Sequence, residues 1–330
     1  MPHGDGNPVD SFGADVSRRV QVSVVHRPAP TGPNPVREGE GGVDYVVCYL
    51  KWGKKREMVF IAMRNHPRYQ HSLEELFLRV FILVDDWLKA NQERFRLPVQ
   101  ANQVASYSEL FTIALVGELL AQPYESVWYW LVRQNHRGLF PRLPEYSRYH
   151  RIVRNAEPLW AELAQSLAAK EDEDRGIELI DTKPLPSPRV SVGNGPRCPR
   201  PARASAPMGM VWGFKLHAVV SLGGLFRRWA FVPAHAHESR VAWGLVQGPT
   251  LGDRAYVGTG VYCPSRKNMK RQTFWPRALS RLRKRIETSF SSLVRSLHLH
   301  VGQVKTFWSL RARVNLKIAA HNLMHSGVLV

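Results

Sequence analysis

Apolar residues recur at helical spacing from Ser72 onward: Leu73, Leu76, Val80, Leu83 and Leu88 form a stripe, and Asp85 and Asp86 fall on the wet side. A second helix is predicted after Ser106. Ser106 and Glu109 have capping-box spacing, and Leu110, Ile113, Ala114, Gly117 and Leu120 supply the buried stripe. Residues 124–134, 146–154 and 157–170 read as three further helices. The pattern therefore predicts an all-helical domain over residues 67–170.

A short acidic run, Glu171-Asp172-Glu173-Asp174, reads as a linker, and after it the period changes. Residues 176–181 form a short apolar strand ending in an acid, and residues 211–222 and 225–232 are two strands joined at Gly223-Gly224. A helix over 239–247, a strand over 249–253 and a fifth strand over 260–263 follow, then long helices over 277–297 and 306–324. Strands followed by helices predict an α/β domain over 171–330, a mixed five-stranded sheet flanked by helices.

Residues 1–66 differ from both. Residues 1–42 are rich in Gly, Pro, Asp and Val without a lasting period, which predicts disorder. Tyr45-Val46-Val47 and Met58-Val59-Phe60-Ile61 have the makings of a small hairpin. A start assigned too far upstream gives the same picture, with Met58 or Met63 as the true start.

Charge changes the picture most. The formal net charge is +19 and the pI about 10.3. Such an imbalance repels itself unless a polyanion is near, which makes nucleic acid the leading partner, although basic membrane-surface proteins share the property. Cys48, Cys198 and Cys263 are widely separated and odd in number, which argues against a disulfide framework or a zinc ribbon. No apolar run reaches the ~18–20 residues of a membrane span, and the N-terminus has no signal-peptide pattern. A cytoplasmic, nucleoid-associated protein is expected, with no membrane partner.

Three acids stand at element ends or on a helix flank: Asp181 after Leu179-Ile180, Asp253 after Leu251-Gly252, and Glu287 within Arg283-Lys284-Arg285-Ile286-Glu287. Carboxylates suit hard divalent cations such as Mg²⁺. Two such ions about 3.5–4 Å apart activate a water or hydroxyl and stabilise a leaving oxygen. Each acid alone has a plainer reading: Asp253 opens a turn, and Glu287 pairs with Arg283 one helical turn earlier. His217, His235 and His237 are better read as structural or substrate-adjacent, because imidazole suits zinc more than magnesium.

The stretch resembles the DDE transposases of bacterial insertion sequences, which share the RNase H-like fold with retroviral integrases. The matching text is 181–186 (Asp181-Thr182-Lys183-Pro184), 212–217 (Trp212-Gly213-Phe214-Lys215), 233–238, Gly252-Asp253-Arg254-Ala255-Tyr256, Ser265-Arg266-Lys267-Asn268 and 281–290 around Glu287. These occur in the family's order over roughly 150 residues, and 34 residues separate Asp253 from Glu287. The resemblance implies an RNase H-like catalytic domain in which Asp181, Asp253 and Glu287 hold two Mg²⁺ ions, with Mn²⁺ as a substitute. It implies hydrolysis at an element end, followed by attack of the freed 3′-hydroxyl on target DNA. The partners would be double-stranded DNA, as terminal inverted repeats and target, and at least a second copy of the chain on paired ends. The helical domain before it would help bind the repeats. Relatives often carry a tyrosine three residues before the arginine matching Arg283 and a lysine seven after the glutamate. Ser280 and Val294 stand there instead, with Arg295 beside the latter.

Arg266, Lys267, Lys270, Arg271, Arg277, Arg281, Arg283, Lys284 and Arg285 fit a groove tracking the DNA backbone toward the acids; the plain alternative is a solvated charged face. Lys215 and Arg254 join them as candidate DNA contacts. Arg148, Arg151 and Arg154 are three apart on the fourth helix and either meet phosphates or cover a core stripe of Tyr149, Ile152 and Val153. Phe274 and Trp275 either stack on an unpaired base or belong to the core. Two other readings of function are an inactive or domesticated descendant that only binds DNA, and a nuclease of the same fold that never joins.

Overall fold

The computed structural model describes residues 45–52, 55–62, 72–98, 103–169, 176–186, 202–206, 209–270, 272–299 and 304–329. The expected disorder over 1–42, the acidic linker 171–174 and Arg271 lie outside them. The chain divides after Glu75 into two compact units. In the first, β1 (Tyr45–Trp52) and β2 (Lys55–Ala62) pair antiparallel, with Tyr45 opposite Ala62 and Trp52 opposite Lys55.

Five helices precede the main sheet: α1 (Leu73–Ala90), α2 (Tyr107–Leu119), α3 (Glu125–Asn135), α4 (Tyr146–Asn155) and α5 (Glu157–Ala169). The α2 start is fixed by the expected capping box. The Ser106 hydroxyl accepts the Glu109 N–H at 3.1 Å, and the Glu109 carboxylate accepts the Ser106 N–H at 2.6 Å.

The sheet is built from β3 (Glu178–Pro186), β4 (Ala202–Ala206), β5 (Gly209–Ser221), β6 (Phe226–Pro233) and β7 (Thr250–Leu251). β5 is its spine. One edge pairs antiparallel with β3; the other takes β4 along Gly209–Gly213 and β6 along Phe214–Val220. β7 adds to the far edge of β3 in parallel, so the sheet is mixed. The chain is thus a mixed α/β protein. The fifth strand expected over 260–263 is only an isolated bridge, Tyr262 to Leu251. The fifth strand is instead β4, which lies in Pro- and Arg-rich text with no alternation to announce it.

Helices cover both faces. α6 (Glu238–Leu245) packs on one, where Ile180, Val219, Ala242, Leu245, Tyr256 and Val261 form a buried cluster. The other carries α7 (Arg277–Arg295) and α8 (Phe307–His325), with Phe226 against Phe290 and Phe214 against Phe307. α8 is buried over most of its length because α2, α4 and α5 pack on its far side. Polar side chains tie these layers. Asn322 donates to Ala164 O at 2.7 Å and accepts the Phe226 N–H at 2.9 Å, and Lys317 Nζ meets Glu118 Oε2 at 2.5 Å. Among the described residues no helix is long and apolar enough to cross a membrane.

Candidate active site

Parallel pairing brings the first two acids together. Glu178 lies opposite Thr250 and Leu179 opposite Leu251. Asp181 lies two residues past Leu179 and Asp253 two past Leu251, at the same end of the pair, and the Asp253 charge is felt at Asp181. Asp253 ends β7 by capping a short 3-10 turn (Arg254–Tyr256), its Oδ1 accepting the Ala255 N–H at 2.9 Å. Gly252 permits the close approach. A Cβ there would stand 2.7 Å from Val261 Cγ1 and 3.0 Å from Ile180 Cγ2.

The third acid comes from α7, whose buried stripe of Ile286, Phe290 and Leu293 faces the sheet and leaves Glu287 on the flank. Arg283 joins the set. Its Nη2 is 3.0 Å from Glu287 Oε1, and its Nη1 is 3.5 Å from Asp181 Oδ2. The pairing of Glu287 with Arg283 thus exists alongside the contact to Asp181, not instead of it. Burial pushes the Asp181 carboxyl up to about 6. The Thr182 N–H, 2.7 Å from Oδ1, opposes the rise, Asp253 adds to it, and Arg283 and Glu287 then act in opposite senses.

A buried carboxylate with other acids near it is one that a cation would stabilise, and oxygen-only donors suit magnesium or manganese. The Tyr256 hydroxyl is buried without a hydrogen-bond partner among the described residues, and burial together with Asp181 and Asp253 raises its pKa. No three His, Cys, Asp or Glu side chains among the described residues converge to ligand distance. Between Asp181 and Glu287 it is the Arg283 guanidinium that supplies positive charge.

The other candidates fall into distinct settings. Arg254, Arg266, Lys267, Lys270, Arg281, Lys284 and Arg285 are exposed. Arg266 Nε donates to Arg254 O at 3.4 Å, and Arg285 to Leu222 O at 3.1 Å. Lys215 is mostly buried and paired to Glu238 at 2.7 Å, so its charge is already met. Arg151 is exposed, whereas Arg148 and Arg154 are partly buried. Phe274 is 79% exposed, while Trp275 stacks on Tyr262 with centroids 5.6 Å apart. His235 is exposed, and His237 caps α6. His217 is fully buried with neither ring nitrogen partnered among the described residues, and burial lowers its pKa to about 4. Tyr256 had no assigned role in the sequence; only its place in Gly252-Asp253-Arg254-Ala255-Tyr256 hinted at one.

Comparison with known proteins finds no family model, curated protein or solved structure that matches the chain.

Proposed function

We propose that the chain is a DDE-type transposase that binds the ends of a mobile DNA element, cleaves them and joins them to target DNA. One observation carries the reading: Arg283 bridges Asp181 and Glu287, and the charges of Asp253 and Glu287, from elements distant in sequence, are both felt at the buried Asp181. The strand arrangement supports it as an RNase H-like domain. An antiparallel run β3-β5-β6 is followed by a helix and a strand parallel to β3, and the acids lie on β3, just past β7 and on a late helix.

Asp181, Asp253 and Glu287 would hold Mg²⁺ or Mn²⁺, which would supply Lewis-acid stabilisation and a more acidic water. The chain's own contribution is positional. Strand register puts Asp181 and Asp253 at the same end of the β3–β7 pair, and Arg283 of α7 meets Asp181 and Glu287. Arg283 is suited to a phosphate oxygen, its planar fork being the geometry that recognises oxyanions. The exposed Arg266, Lys267, Arg281 and Lys284 would bind DNA backbone, making affinity strongly salt-dependent.

The test is incubation of the full chain with labelled element-end DNA and Mg²⁺, beside Asp253→Asn. Nicking and strand transfer by the wild type alone is the expected result. Nicking without joined products would move the reading to a nuclease. Specific end binding without cleavage by either protein, in Mg²⁺ or Mn²⁺, would move it to a DNA-binding descendant.

A further inference from the structure

The two oxygens of Asp181 are engaged differently. Oδ1 accepts the Thr182 N–H at 2.7 Å, and Oδ2 is the atom that meets Arg283 Nη1 at 3.5 Å. Arg283 thus occupies the side of Asp181 that the backbone leaves open. With Nη2 it meets Glu287 Oε1 at 3.0 Å, so the same guanidinium touches two of the three acids at once.

A divalent cation shared by Asp181 and Glu287 would need that same side of Asp181. Magnesium sits about 2.0–2.1 Å from its oxygen ligands and tolerates little distortion. A cation there would stand within a few ångströms of the guanidinium, and like charges that close in a partly buried site repel strongly. The guanidinium and the metal are therefore competitors for Oδ2. Both ends of the present contact are also easy to release. The contact to Asp181 is long beside the about 2.7–2.9 Å of a tight charge-assisted hydrogen bond. Glu287 is 53% exposed, so water can take over its oxygen. A change of rotamer in the Arg283 side chain then moves the guanidinium without moving α7.

We propose that Arg283 is an exchangeable latch on the acid site. Its guanidinium holds Asp181 and Glu287 in the present conformation, and a divalent metal displaces it toward a phosphate oxygen of bound DNA. The inference rests on the reading of these acids as a metal site for DNA chemistry, and adds how that site is regulated. Phosphate that takes the guanidinium frees the carboxylates for metal, and metal that takes the carboxylates frees the guanidinium for phosphate. Linkage makes the two effects on affinity equal in size.

Mn²⁺ is titrated by calorimetry into the full chain without DNA, for the wild type, Asp253→Asn and Arg283→Gln. A binding event lost in Asp253→Asn marks the acid site. Arg283→Gln is expected to bind Mn²⁺ there about tenfold more tightly than the wild type. DNA affinity is then measured by fluorescence anisotropy on an element-end duplex whose bridging 3′ oxygen at the cleavage position is replaced by methylene, so that it binds without being cut. Arg283→Gln is expected to weaken binding by less than about twofold in EDTA and by about tenfold in Mn²⁺, because only the released guanidinium reaches phosphate. A merely structural role, or charge acting through space, would lower DNA affinity equally in both. Mn²⁺ binding that Asp253→Asn leaves untouched would overturn the metal reading and the latch with it. Mn²⁺ binding at the acids that Arg283→Gln weakens or leaves unchanged would overturn the latch alone, as would an equal loss of DNA affinity with and without metal.

Discussion

Arg283 Nη1 lies 3.5 Å from Asp181 Oδ2 while Nη2 of the same guanidinium holds Glu287 at 3.0 Å, so one side chain links the sheet's first acid to the helix's. The contacts are asymmetric in worth. Glu287 is half exposed, and an ion pair one helical turn apart at the surface contributes a few tenths of a kcal/mol. Asp181 is mostly buried and carries the larger electrostatic consequence.

Arg283→Gln therefore separates folding from chemistry. The stability change is expected to be small, within about 1 kcal/mol by denaturant titration. DNA cleavage, on the reading proposed above, falls by about 10²–10³-fold, as when a charge-stabilising donor is removed from an active site. Arg283→Lys keeps the charge but not the planar fork and is expected to recover only part of the activity. Full activity in Arg283→Gln would remove this residue from the site.

Gly252 offers a test of the geometry without any assumption about function. The Cβ of Gly252→Ala would meet Val261 Cγ1 at 2.7 Å, and Ile180 Cγ2 and Tyr256 Cδ2 at 3.0 Å. All three neighbours are buried, so relief requires the core on the α6 face to shift. Overpacking of this kind costs about 1–3 kcal/mol. Urea unfolding should show that loss; an unchanged midpoint would mean that Asp253 is not held where the register puts it.

Asn322 tests the junction between the sheet and the helices before it. Its Oδ1 accepts the Phe226 N–H at 2.9 Å, and its Nδ2 donates to Phe226 O at 2.8 Å and Ala164 O at 2.7 Å. The side chain thus completes the backbone bonding of β6's first residue and of α5 together. Asn322→Leu keeps the volume, removes every bond and leaves the buried Phe226 N–H unpaired, at a cost of about 2–4 kcal/mol. Hydrogen exchange at Phe226 should accelerate in the variant; protection equal to wild type would refute the role.

Much of this arrangement is written locally. The helices from α1 to α5 follow from stripes and caps: Ser106 and Glu109 mark the α2 start within the sequence itself. Asp181, Asp253 and Glu287 were legible as a set through resemblance and order, and Arg283 by its spacing from Glu287. What local pattern did not carry is pairing. β3 runs on past Asp181 through Pro184 and Pro186, residues that normally end a strand. They fit because β7 covers β3 only at Glu178 and Leu179, so beyond that point an N–H turned to that edge has no ladder bond to lose. β4 is equally silent, since Ala202–Ala206 becomes a strand only because β5 extends past β6 and leaves an edge to fill. Arg154 reads as one of three arginines on a helix face, and its partial burial, on the helix that α8 packs against, was not legible from spacing.

His321 predicts the pH dependence of stability. Its Nε2 meets Gly224 O at 3.1 Å, so that nitrogen carries the proton and donates, and Nδ1 is left to accept from Ser292 Oγ at 3.2 Å. The neutral ring satisfies both contacts; a second proton would break the latter. Burial lowers its pKa to about 3, and the neighbouring His325 pushes the same way. An unfolded histidine titrates near 6.5, so below that pH the unfolded chain takes up a proton that the folded one refuses. The stabilisation is fully present above about pH 6.5 and is lost as pH falls toward the folded value, by up to about 1.4 kcal/mol per pH unit. Asp181 works in the opposite sense, because its raised carboxyl pKa favours the folded state as pH falls through about 6. The decisive quantity is therefore the difference between wild type and His321→Gln, in which the Asp181 contribution cancels. The variant should be less stable at pH 7.5, and its deficit should shrink steadily between pH 6 and 4. A deficit that stays constant over that range would show that His321 is protonated in the folded protein.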